Sequence, residues 1–99
     1  MKRRVKSGAR TLLSEFSSSL GSETLKVRIY RERDALVCER ELVERDGTSF
    51  TMVLPLQRAD AVRELLEADP YYPRVRAEAE RALARLDRAL RQEHGRQAA

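Results

Sequence analysis

Histidine and cysteine occur once each in these 99 residues, tryptophan does not occur, and aromatic side chains make up 5%. A single cysteine, Cys38, allows no intrachain disulfide, which favours a reducing, cytoplasmic setting. It stands in the middle of a strand-like run with no histidine near it in sequence, so it reads as a small core residue rather than a nucleophile. His94 has no second histidine to pair with. The chain holds no CxxC, no HExxH, no glycine-rich phosphate loop and no carboxylates at ligand spacing. Neither a metal site nor a cofactor is expected, and the chain reads as non-enzymatic. No apolar run approaches the roughly 20 residues that cross a bilayer. The basic N-terminus has no apolar stretch behind it, so no secretory signal is expected either.

Charge is what the chain has in quantity. Asp, Glu, Lys and Arg are 36% of the residues and the net charge is +4. The excess is local. Residues 1–20 carry Lys2, Arg3, Arg4, Lys6 and Arg10 against Glu15 alone, and residues 21–99 balance fifteen bases with fifteen acids. Residues 1–22 therefore read as a basic arm and linker, 23–94 as one α+β domain, and 95–99 as a frayed tail. A terminal block of cations binds phosphate backbones by releasing their counterions. At this length a core is modest. With so large a charged rim, a homodimer that completes the apolar surface is expected.

The body is built around residues 25–56. In Leu25 to Glu32, Leu25, Val27 and Ile29 alternate with Lys26, Arg28 and Tyr30, the period of a half-buried strand. Arg33-Asp34 reads as a tight turn. Ala35 to Arg45 has mixed phase, so either Glu39-Arg40-Glu41 hides a bulge or both faces are partly covered. Asp46-Gly47 suits a type I′ hairpin. Ser49 to Leu56 alternates again, with Phe50, Met52, Leu54 and Leu56 on one face, and Pro55 ends the strand or marks an edge. Residues 11–22 are ambiguous. Leu12, Leu13, Phe16 and Leu20 recur at helical spacing, while the serine run disfavours a helix interior. A short helix or irregular segment is the expectation here, with an additional strand as the other reading.

After Leu56 the apolar period lengthens. Ala59, Val62, Leu65 and Leu66 predict a three-turn helix over 58–68, stopped before Pro70. Tyr71 and Tyr72 read as staples between the helix corner and the sheet. Arg74 to about Glu93 predicts a second, alanine-rich helix on which Arg74, Arg81, Arg85 and Arg88 form a solvated stripe. The expected fold is thus α+β: a three- or four-stranded antiparallel meander followed by two C-terminal helices packed on one face.

Val5-Lys6-Ser7-Gly8-Ala9-Arg10-Thr11 resembles the opening of the first strand in bacterial PUR-domain proteins, and the later order of strands, Leu54-Pro55-Leu56 and helix is similar to PUR and Whirly-type domains. The resemblance implies single-stranded nucleic-acid binding on a twisted sheet and pairing through a helix. It puts Arg10, Lys26, Arg28 and Tyr30 on or near the binding face. The chain departs from the pattern at Leu12-Leu13, where aromatics are expected, and in its second helix after Pro73. The functional expectation is a small nucleic-acid-binding or regulatory protein whose contacts are Lys2, Arg3, Arg4, Lys6, Arg10, Lys26, Arg28 and Tyr30. The alternative is a protein–protein adaptor or assembly factor docking through its C-terminal helix or open sheet face.

Overall fold

The computed structural model describes residues 10–98, and side chains as far as Gly95. Four strands, β1 (Arg10–Leu20), β2 (Glu23–Glu32), β3 (Ala35–Val43) and β4 (Ser49–Leu56), form one antiparallel sheet in the order β1-β2-β3-β4. Helices α1 (Ala59–Glu67) and α2 (Tyr72–Ala98) follow and cover one face. The expected α+β architecture is the observed one, in its four-stranded form.

Over 11–22 the short helix or irregular segment gives way to the other reading, an additional strand, β1, and the reason for the mixed pattern lies at Leu13. The pairing of β1 with β2 shifts register between Leu12 and Ser14. That irregularity takes up one residue and breaks the alternation on which a strand reading depends. Beyond it Ser14, Phe16 and Leu20 face the helices and are buried, while Glu15, Ser17 and Ser19 are exposed. The strand ends at a Gly21-Ser22 turn in which Gly21 takes a positive φ of 80°. No bulge occurs at Glu39–Glu41. The β2–β3 register is continuous from Thr24 opposite Val43 to Glu32 opposite Ala35. The mixed phase arises because both faces are partly covered. Leu36 and Cys38 are buried under the helices, and Val37 is buried on the other face between its register neighbours Tyr30 and Pro55.

The β3–β4 hairpin also differs from expectation. Glu44 donates its N–H to Thr48 O (2.7 Å) and Gly47 donates to Glu44 O (2.9 Å), so three residues rather than two make the loop. Only Gly47, at φ 91°, is left-handed, and Asp46 instead accepts the Thr48 N–H on its carboxylate. This is the three-residue connection, a turn followed by one left-handed residue. The Arg33-Asp34 turn falls where expected, with Arg33 at φ 58°.

Leu25, Val27 and Ile29 on β2 are almost wholly buried against Val62 and Leu66 of α1 and Val75, Ala79, Ala82 and Leu86 of α2. Each such aliphatic side chain contributes about 1.5–3 kcal/mol relative to leaving it exposed. α2 lies mainly over β1. Ala79 and Ala82 are fully buried, and these small side chains let the helix backbone approach the strand closely enough for Ser14 Oγ to donate to Ala82 O at 2.7 Å. α2 begins at Tyr72, earlier than expected, and Val75 is non-helical (φ −118°, ψ 17°), a kink two residues after Pro73. Its backbone continues to Ala98 through the segment expected to fray. Tyr71 acts as the expected staple, its hydroxyl donating to the Glu23 carboxylate on β2 (2.8 Å). Tyr72 instead donates to Glu80 on its own helix (2.8 Å). Among the described residues no helix is long and apolar enough to cross a membrane.

Candidate nucleic-acid interface

Strand pleating puts Lys26, Arg28 and Tyr30 on the sheet face turned away from the helices, as the alternation predicts, and the β1–β2 register puts Arg10 on the same face. Lys2, Arg3, Arg4 and Lys6 lie outside the described residues.

The cations of that face are largely engaged within the fold. Arg28 crosses to β3 and donates to Glu39 (3.0 Å) and Glu41 (3.3 Å). Burial alone pulls its pKa down, but the hydrogen bonds to Glu41 and Glu39 reverse this and leave it raised. Arg10 donates to Glu32 at 3.0 Å, which raises its pKa, and its guanidinium lies 4.8 Å from the centre of the Tyr30 ring. The one aromatic of the face is therefore capped by a cation at that position, a favourable quadrupole contact. Among the described residues Lys26 has no ion-pair partner. On this face three cations (Arg10, Lys26, Arg28) meet four carboxylates (Glu15, Glu32, Glu39, Glu41), so the described sheet surface is slightly acidic. The structure brings together four of the eight residues expected to contact nucleic acid and gives two of them carboxylate partners.

Unpaired cations lie elsewhere. Arg74, Arg81 and Arg88 are exposed on α2, seven residues apart, and among the described residues none of them has an ion-pair partner. That spacing puts them on one stripe with about 10 Å between neighbours. Arg85 is tied back to Glu15 O (2.6 Å). The middle of α1 is fastened to α2 by Arg63, which donates to Glu80 at 2.9 and 3.2 Å. That contact, and then the Tyr72 hydroxyl, hold the Glu80 carboxyl below its usual range.

The feature sequence reasoning missed is β4. Its alternation groups Phe50, Met52, Leu54 and Leu56 on one face, of which Phe50 is 59% and Met52 48% exposed, and Val53 on the other face is 46% exposed. α1 starts three residues after β4 and has only nine residues, so it touches β4 lightly and leaves the first half of the strand bare. Beside it an apolar groove of about 340 Å³ opens, lined by Cys38, Met52, Leu54, Leu65, Leu66 and Pro70 among others. The signal was present in the sequence as a two-residue connection and a short helix. No protein-family model, no curated protein and no solved structure matches this chain.

Proposed function

We propose that this chain is a non-enzymatic nucleic-acid-binding protein of the cytoplasm that acts as a homodimer, with contact made by its cationic leader. The observation that supports this reading is the partition of charge. Arg10 and Arg28 on the body are matched with Glu32, Glu39 and Glu41, whereas Lys2, Arg3, Arg4 and Lys6 have no acidic residue among the first ten. Kinship with PUR and Whirly-type domains belongs to this proposal, supported by the order of four antiparallel strands and then helix. The slightly acidic sheet face argues for the leader over the sheet as the main contact.

Four phosphates neutralised give a log–log salt slope of about −3 to −4 on duplex DNA and a somewhat shallower one on single strands. Fluorescence anisotropy with labelled oligonucleotides across a salt series measures it. Changing Lys2, Arg3, Arg4 and Lys6 together to Gln should flatten the slope and abolish binding at physiological salt. Binding unaffected by that change would sink the leader, and absence of binding at low salt would sink nucleic acid as the ligand.

A second reading, protein–protein adaptor or assembly factor, draws its support from the exposed Phe50, Met52 and Val53. Complexes that persist as salt is raised would favour it.

A further inference from the structure

We infer that β4 is a homodimer seam: two copies pair their β4 strands antiparallel about a twofold axis, forming one continuous eight-stranded sheet. This deepens the homodimer part of the reading above and rests on it.

Ser49–Leu56 reads SFTMVLPL and has no charged residue, in a chain of which 36% is charged. Among the described residues it is the last strand of the sheet and pairs only with β3, so one side of its backbone is without a described strand partner. Edge strands of monomeric proteins are normally blunted by lysines, prolines or inward-pointing charges that oppose pairing with another chain, and β4 carries Pro55 near its end but none of the charges. Among the described residues, three of the four exposed large hydrophobic side chains stand on this one strand, Phe50 and Met52 on its helix side and Val53 on the other. Such a patch marks an interaction surface.

The occupant follows from charge. An uncharged strand offers nothing to a charged segment and suits another uncharged strand. β1, β2 and β3 all carry Arg and Glu, so the strand of this chain that matches β4 is β4 itself. Self-pairing is isologous and closes at two copies, whereas pairing β4 with β1 would be head-to-tail and open-ended. Pro55 has no N–H, which centres the pairing on the residues before it.

Centred on Met52, antiparallel pairing lays each copy's Phe50 across from the other's Leu54 on the helix side, and Thr51 across from Val53 on the other side. Leu54 lines the apolar groove, so Phe50 of one copy closes the groove mouth of the other. A stable interface buries about 800 Å² per copy, roughly one-eighth of the 6415 Å² this chain exposes. Met52 and Leu54 line the groove on the helix side, Phe50 stands on that same side, and Val53 adds apolar area on the other face of the strand.

The test is light scattering during size-exclusion chromatography, with hydrogen exchange of the full chain. The wild-type protein should run at twice its 11.4 kDa, with the Thr51 and Val53 amides slow to exchange. Met52→Lys, at a position 48% exposed and so tolerable in the monomer, should raise the dissociation constant about a hundredfold or more by setting two ammonium groups against each other. Thr51→Pro, a second variant, should do the same by removing a backbone donor. A wild-type monomer at all concentrations overturns the dimer and the seam together. A dimer that survives both variants with circular dichroism unchanged overturns the seam alone and leaves the dimer to another surface.

Discussion

Cys38 lies opposite Ile29 and Leu54, under the helix layer and at the bottom of the apolar groove. Burial, and then the negative charges of Asp69 and Glu39, push its thiol from about 9 up to about 11. The protonated form is thus favoured in the folded state. The associated stability is fully present below the ordinary thiol range and is lost as the pH rises from about 9 through 11. Wild-type stability by urea denaturation should fall between those limits by roughly 2–3 kcal/mol more than that of Cys38→Ala, whose slope lacks this contribution. Cys38→Ala should itself be less stable at pH 7, because it leaves a small void. At neutral pH the native thiol should react with alkylating reagents far more slowly than the unfolded one.

Among the elements, the connector between the helices is held by one carboxylate. Asp69 accepts two hydrogen bonds from the Arg40 guanidinium, one through Nε and one at 3.2 Å, and a third from the Tyr71 N–H at 2.9 Å. Its side chain is only 8% exposed. Breaking a buried pair by removing one member costs more than the pair contributes, because the other charge is stranded. Asp69→Ala should therefore destabilise the fold by about 2–4 kcal/mol, measured by thermal or urea unfolding. Asp69→Asn, which keeps an acceptor for Tyr71 N–H, should cost less.

The same scale shows what was legible beforehand. β2 and α1 were readable because each obeys one period without interruption. β1 was not, because the register shift at Leu13 gives Leu12, Leu13, Phe16 and Leu20 a helical spacing inside a strand. The type I′ expectation at Asp46-Gly47 identified the right residues but not the loop length, which is set by Glu44 pairing with Thr48. Alternation correctly grouped Lys26, Arg28 and Tyr30 on one face. It carried no information on the cross-strand partners Glu39 and Glu41, which come from a strand whose own phase was mixed. The bareness of β4 is a matter of coverage, set by how far α1 reaches rather than by the pattern of the strand.

For the molecule as a whole, the described chain is a slab of one sheet and one helix layer. Its principal extents are 46 × 39 × 16 Å and its radius of gyration is 14.6 Å, against about 13 Å for a compact domain of 100 residues. If β4 joins two copies, folding and association are linked. The unfolding temperature should then rise with protein concentration for the wild type and stay fixed for Met52→Lys. Differential scanning fluorimetry over a hundredfold range of concentration reads this directly, and a flat wild-type series contradicts the linkage.

Strand order has a geometric consequence for such a pair. β1, whose first residue Arg10 follows the cationic leader, is at the opposite rim of the sheet from β4. Joined antiparallel at β4, the outermost strands run in opposite directions, so the two leaders would depart from diagonally opposite corners of the sheet, farther apart than the seven strand spacings, about 34 Å, between those strands. Two weak grips held at that span act as a clamp, the second closing at the high local concentration set by the first.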